Sequence, residues 1–457
     1  MPVPPGNTAL IICPHYPPSS EVGAKRGLAF AQSLVSRGVS VIVIASEEDS
    51  ATGEDTQSCD GVEIRRLPMP ARILLPLLLG ARNVVRATGS KLTFRRSEPG
   101  VPDTQLQAPA AAGSVSAGRM LAGQLLPWIE VLDRYKKWSL RAYFLARYLA
   151  KARRFDVVIA SGPPFSSAIA AVAIGRHLRI PVVVDFRDPA ASLQVGGPIG
   201  VRFDRLVCRA VQKFLVRGAD QITVTSPGIA KLLSTSLPAG TRSIKIVRNG
   251  FDGKPHDRKS KSGHRLGIVF AGALYLNRSP RIFLTALQEL LADRNVDATS
   301  VTVSFFGAVD SAEWVELASL ARSQSYKGVV SVFPLVSGVE LQPHLLNATA
   351  VLNLAQGQPI QIPAKTFEQL GLGCEVIAVC ERDSDTGRLL SSVPGVHVIG
   401  SDDMVAMRNV LRDIYDRHVV QGVVNPPSLD DIHDFSRDSQ LGVFVELVMT
   451  LLADGRK

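Results

Sequence analysis

Short, largely apolar runs recur along this chain, with helical patterns between them. Thr8–Cys13, Ser40–Ala45, Asp156–Ala160 and Val182–Phe186 are runs of this kind. A strand that is apolar at every position, not at every second one, is covered on both faces. That is the environment of a parallel sheet. Helical patterns over Ala24–Arg37, Phe165–Leu178 and Ile199–Arg217, and further strands at Gln221–Thr225 and Ile244–Val247, keep up the alternation. The polar stretch Asn249–Gly263 reads as a linker. Beyond it the pattern restarts with strands at Leu266–Phe270, Val301–Phe306, Val329–Phe333, Ala350–Leu354, Val376–Val379 and Val396–Ile399. A chain of 457 residues exceeds one core. The expected architecture is therefore α/β, with two doubly wound domains facing a cleft. The first spans residues 1–250, with an insertion at about 68–126. The second spans 265–435. A last helix within 437–457 is expected to cross back to the first domain. Ligands of such sheets bind outside the carboxyl ends of the strands.

The segment Ile362-Pro-Ala-Lys-Thr-Phe-Glu-Gln-Leu-Gly-Leu-Gly373 narrows the chemistry most. It predicts a helix that starts at Pro363 and Ala364, carries Lys365 and Glu368 and stops at glycine. Free N–H groups at such a start face an anion, with phosphate the natural one. Glu368, on the first turns, can accept hydrogen bonds from sugar hydroxyls. A phosphate cradle beside a hydroxyl-binding carboxylate suits a nucleotide-sugar. The plain alternative is a capped helix with a solvated Glu368.

Three other loops carry polar groups at strand ends. After the first strand, Gly23 enters a helix with Lys25 and Arg26 behind it. A single glycine is a weak phosphate-loop signal, and no dinucleotide fingerprint is present. Val182-Val-Val-Asp-Phe-Arg-Asp-Pro189 ends a buried strand in Asp185, Arg187 and Asp188. Such charges either meet ligand or pair with each other to pin the loop, because burial alone is costly. Phe270-Ala-Gly-Ala-Leu-Tyr-Leu-Asn-Arg-Ser-Pro-Arg281 turns at Gly272, and Arg278 or Arg281 can reach a diphosphate. His15 and His177 are isolated and receive no role.

The five cysteines are odd in number and lack metal-ligand spacing, so neither a disulfide framework nor structural zinc is expected. The start, MPVPPGNTALIIC, lacks a basic region before its short apolar run and is not read as a signal peptide. The most apolar run, Ile73–Leu79, is far below the roughly 20 residues that span a bilayer. Charge is uneven. Arg72–Arg154 holds fifteen Lys and Arg against four Asp and Glu, a surplus that accounts for the whole chain's +10. A helix expected over Val131–Arg153 sets Leu140, Phe144 and Tyr148 on one stripe among these cations. Two readings stand for the stripe: core packing, or a face for an anionic membrane. No nucleic-acid motif accompanies the charge, so no nucleic-acid partner is expected.

Together these segments resemble the GT-B glycosyltransferases of the family 4 type, especially bacterial exopolysaccharide and lipopolysaccharide enzymes. PHYPPSSEVGAKR, DVVIASGPPFSS, VVVDFRDP, ADQITVTSPGIAKLL with IVRNGFD, FAGALYLNRSP and IPAKTFEQLGLG carry the resemblance, in order, over nearly the whole chain. It implies two Rossmann-like domains, with an acceptor-side N-terminal domain and a nucleotide-sugar-binding C-terminal one. The implied donor set is Gly272, Arg278, Pro363, Ala364, Lys365 and Glu368. Glu368 takes the place of the second glutamate of the family's E-x7-E motif, at the ribose. Arg187, Asp188 and Arg278 are the implied catalytic groups, and Gly23, Lys25, Arg26 and Asp185 line the acceptor and phosphate side. The expected activity is retaining transfer from a UDP- or GDP-sugar to a glycan or lipid-linked acceptor, at the cytoplasmic membrane face. No cofactor and no metal are expected, since Asp383-Ser-Asp385 follows its strand by several residues and reads as a loop or helix cap. The first glutamate of E-x7-E falls on Ile360, and Arg187 stands where many members carry histidine. A non-catalytic GT-B binding subunit is therefore the alternative. A GT-B sugar-nucleotide epimerase is a further one, against which the basic segment argues.

Overall fold

The computed structural model describes residues 6–19, 21–47, 56–69, 132–190, 200–237, 244–256, 264–274, 278–307, 312–326 and 328–454. From residue 70 onward the expected insertion lies outside the described residues, as does the run Ile73–Leu79.

Two sheets form. The first contains β1 (Thr8–Ile12), β2 (Ser40–Ser46), β3 (Thr56–Cys59), β4 (Val62–Leu67), β5 (Val157–Gly162), β6 (Val182–Phe186), β7 (Gln221–Val224) and β8 (Ile244–Ile246). Its order is β3-β4-β2-β1-β5-β6-β7-β8, parallel except for the β3–β4 pair. The second contains β9 (Leu266–Ala271), β10 (Val301–Gly307), β11 (Val330–Pro334), β12 (Ala350–Leu354), β13 (Glu375–Val379) and β14 (Val396–Ile399). It runs β11-β10-β9-β12-β13-β14, parallel throughout.

The apolar runs explain these positions. Every residue of β5, β6, β12 and β13 is buried, because helices cover both faces of each sheet. The antiparallel ribbon β3–β4 was not foreseen. Its β4 alternates buried and half-buried positions, as an outer strand does, and Thr56–Cys59 is polar.

The last helix, Arg437–Asp454, lies on the first sheet although it follows the second in sequence. Phe444, Val448 and Leu452 join the core of Ala9, Ile11 and Phe30. Phe444 stacks on Phe30 with centroids 3.8 Å apart. Truncating a buried phenylalanine typically costs about 3–5 kcal/mol, so this contact ties the two halves firmly.

The basic helix is shorter than expected, Lys136–Leu149. Asp133 accepts from the amide of Tyr135 (2.9 Å) and from the amide and hydroxyl of Ser166 (2.9 and 2.5 Å), which fixes a turn ahead of it. The helix carries two apolar stripes. Trp138, Ala142, Ala146 and Leu149 are the buried one. Leu140, Phe144 and Tyr148 stay 58%, 55% and 69% exposed, so core packing is excluded for them.

Candidate active site

In each sheet the strand order reverses next to the first strand, between β1 and β5 and between β9 and β12. Loops diverge there and leave a crevice at the carboxyl ends. The Gly23 loop follows β1, and Phe165–Leu178 follows β5. Gly272–Leu274 and Arg278–Pro280 follow β9, and residues 355–363 follow β12.

In the second domain these segments bring Lys365 close to Gly272 and within the field of Arg278. Gly272 has φ +152°, a conformation that favours glycine, and its Cα side lies close to Lys365, where a Cβ would be 2.9 Å from Nζ. Lys365 Nζ lies over the Phe270 ring, 4.6 Å from its centroid. It is buried and has no hydrogen-bond acceptor among the described residues. Burial, and then the like charge of Arg278, push its pKa down to about 7. Arg278 itself is only 9% exposed. Gln356 Nε2 donates to the Ser279 carbonyl (2.8 Å), tying the loop after β12 to the loop after β9.

The short helix Ala364–Leu370 holds Lys365 in place, with Pro363 at its N-cap. Asn353, in the otherwise apolar β12, donates to Thr366 Oγ1 (3.0 Å) and Gln369 Oε1 (2.6 Å). Gln369 Nε2 returns a bond to the Leu352 carbonyl (3.2 Å). A polar residue inside a buried strand needs partners, so Asn353 was the sequence signal for this clamp. Lys365 is thereby turned inward. Glu368 points outward and meets Lys25 Nζ of the first domain at 3.4 Å, both half exposed. An exposed pair of this kind contributes at most about 1 kcal/mol, so a ligand can displace it.

The first-domain residues are placed differently. Asp185 is fully buried and Arg26 is 4% exposed. Asp185 accepts from Arg26 Nε (2.8 Å) and Nη2 (2.7 Å), Ser161 Oγ (2.6 Å) and Thr223 Oγ1 (2.7 Å). Register explains the set: Ser161, Asp185 and Thr223 stand side by side on β5, β6 and β7. Burial alone would raise the Asp185 carboxyl, but Arg26 and these hydrogen bonds hold it below the usual range. Arg26 also donates to the carbonyls of Val247 (2.8 Å) and Arg248 (3.2 Å). Asp185 and Arg26 thus form an internal clamp under the crevice floor, not a ligand-facing pair.

Arg187 lies over Gly23, where any Cβ would collide with its guanidinium, and its Nη2 donates to the Pro163 carbonyl. Asp188 crosses the cleft and accepts from Gln361 Nε2 (2.5 Å). Two further links sit beside it. Ser226 Oγ donates to the Ile360 carbonyl (2.5 Å), and the Gly228 amide donates to Asp385 Oδ2 (2.5 Å). Asp385 is 4% exposed and opens a helix capped by Ser384. Ser226 and Gln361 were not picked out from the sequence, and Asp385 was read there as part of a loop or helix cap; its place at the helix start fits that reading, while its bond to Gly228 appears only in the fold. Ile360, at the place of the first E-x7-E glutamate, is part of this domain contact.

Among the described residues no group of three His, Cys, Asp or Glu could hold a metal ion. Cys13, Cys208, Cys374 and Cys380 are buried and form no disulfide, and burial pushes the Cys13 thiol up to about 12.

Two Rossmann-like sheets opposed across a cleft, with crevices at both switch points, define the GT-B class of glycosyltransferase fold. Solved structures share it over almost their full lengths. Sucrose-phosphate synthase from Thermosynechococcus elongatus is 12% identical, with a TM-score of 0.59, covering 98% of this chain and 100% of that one. A trehalose-6-phosphate synthase described in terms of glycosyltransfer with retention is 8% identical, with a TM-score of 0.57 and coverage of 97% and 99%. Trehalose-6-phosphate from E. coli bound with UDP-2-fluoro glucose, as that structure is described, is 10% identical, with a TM-score of 0.55 and coverage of 97% and 96%. At these identities the likeness establishes fold. Residues 23–250 match the family described as Glycosyl transferase 4-like domain. No curated protein matches the sequence.

Proposed function

We propose that this protein is a retaining glycosyltransferase that moves a sugar from a UDP- or GDP-sugar to a hydroxyl of a lipid-linked or polysaccharide acceptor. The observation that carries the reading is the cationic pocket at the β9/β12 switch point. There Lys365 Nζ is buried with no acceptor among the described residues, beside Gly272 and the nearly buried Arg278. A donor diphosphate supplies the missing acceptors. Arg278 and Lys365 then offset the charge that develops on the leaving diphosphate, which is the main catalytic need of such a transfer. Glu368 exchanges Lys25 for the ribose hydroxyls. Arg187 and Asp188, on the opposite lip, face the transferred sugar. The chemistry needs no metal and no cofactor, because the two cations serve the diphosphate.

The acceptor side favours a membrane. Helices Lys136–Leu149, Phe165–Leu178 and Gly200–Gly218 cover one face of the first sheet. Their sequences carry ten Lys and Arg and a single Asp. Leu140, Phe144, Tyr148 and Leu206 are exposed on that face. Apolar side chains among cations fit an anionic leaflet. Among the described residues, no helix is long and apolar enough to cross a membrane. The exposed apolar and basic residues suit peripheral association, on the cytoplasmic membrane face where nucleotide-sugars are found.

Ile360 favours a second reading, a non-catalytic binding subunit, because its backbone is bonded to Ser226 where the family motif has a carboxylate. Thermal unfolding with UDP, GDP, ADP and their sugars tests the first reading. One nucleotide should raise the midpoint by mass action. Arg278→Ala and Glu368→Ala should each weaken it by about 1–3 kcal/mol. Two variants that bind like the parent would put the donor elsewhere. Donor hydrolysis separates enzyme from binding subunit.

A further inference from the structure

Lys365 has surroundings that an ammonium ion does not tolerate alone. Phe270 offers the face of a ring, Gly272 offers backbone, and the Nζ atom has no acceptor among the described residues. Among the described residues the charged group acting on it is Arg278, of the same sign. Glu368, one turn along the same helix, faces away to Lys25. Gln356, on the loop from β12, is neutral and bonded to Ser279. An uncompensated buried charge is expensive, and the group neutralises instead. Arginine cannot do so in a protein, so of the two cations Lys365 gives up its proton.

We propose that Lys365 is a neutral amine in the protein by itself and takes up a proton when the diphosphate of a nucleotide-sugar docks, so that donor binding and protonation are one linked event. The inference rests on the donor site proposed above. A diphosphate diester brings two negative charges. Arg278 matches one of them, and the second makes the ammonium form of Lys365 the favoured one. The proton acquired on docking is then in place when the sugar–phosphate bond breaks and a third negative charge appears on the leaving group. A site holding two permanent cations would repel itself before the donor arrives, and one holding a single cation would leave the product's charge uncovered.

Calorimetric titration with UDP-glucose and with GDP-mannose tests this, in paired buffers of low and high ionisation enthalpy. Neither donor's diphosphate titrates between pH 6 and 8, so a buffer-dependent heat reports the protein. With the amine near 7, about 0.9 proton should be taken up per donor bound at pH 8 and about 0.1 at pH 6. The dissociation constant should rise about tenfold per pH unit above 8. Lys365→Met, which fits an apolar pocket, and Lys365→Arg, which is permanently charged, should both bind without proton uptake and with a pH-independent constant. A donor that binds the parent with equal heats in both buffers at pH 8 overturns the proposal and leaves the donor site standing. Uptake that persists in Lys365→Met overturns it as well. If neither donor binds at any pH, the donor-site reading falls with it.

Discussion

The Asp185–Arg26 clamp gives the sharpest test of which strand-end charges build the fold and which meet ligand. Asp185→Ala removes four hydrogen bonds of 2.6–2.8 Å. It also leaves the Arg26 guanidinium, 4% exposed, without a counter-ion. Hydrogen bonds to charged groups contribute about 1.5–3 kcal/mol each but do not add. Breaking one side of a buried pair costs about 3–5 kcal/mol, and that is the expected loss in urea unfolding. Replacing both partners, Asp185→Leu with Arg26→Met, should recover most of it, because no charge is then stranded. Arg26 also sits over the Phe30 ring, 4.9 Å from its centroid, so the damage should reach the Phe30–Phe444 contact of the last helix. The pH dependence has a definite sign. The folded carboxyl is more acidic than the unfolded one, whose value is about 3.9. Its contribution is therefore present above that pH and lost as pH falls below it. A loss under about 1 kcal/mol for Asp185→Ala, with turnover abolished, would refute the clamp and return Asp185 to the ligand.

Two further outcomes follow from the basic face and the cation pair. The protein should pellet with anionic vesicles at low salt and release at high salt, and Phe144→Glu with Leu140→Glu should abolish pelleting; equal behaviour with neutral vesicles would point to a soluble acceptor. Turnover should be unchanged in EDTA, and a loss restored by magnesium or manganese would contradict cation-only stabilisation of the leaving group.

The sequence disclosed the sheets better than the sites. Val182–Phe186 and Ala350–Leu354 declare themselves because parallel strands are buried on both faces, and so short a run, apolar but for Asp185 or Asn353, suits little else between helical patterns. Thr56–Cys59 carries no such signal, since it lies at a sheet edge, where polar residues are tolerated. The Leu140–Phe144–Tyr148 stripe was visible, but periodicity alone does not say which of a helix's two apolar stripes is buried; Trp138 and Ala142 took the core. Strand-end position suggested a ligand for Asp185, yet the register that sets Ser161 and Thr223 beside it is a long-range property. Lys365 was singled out, but its inward turn depends on Asn353 and Gln369, whose partners only the fold brings together. The domain contacts of Ser226 and Gln361 left no local trace, and the helix-cap pattern at Asp385 gave no hint of its bond to Gly228.

The position of a bound donor tests the central claim most directly. In a crystal structure with UDP-glucose or GDP-mannose, the diphosphate oxygens should lie within about 3 Å of Arg278 and Lys365 Nζ, close against Gly272. Glu368 should have left Lys25 for the ribose hydroxyls. A nucleotide seated on the first domain, with the Lys25–Glu368 pair intact and Lys365 still without an acceptor, would contradict it.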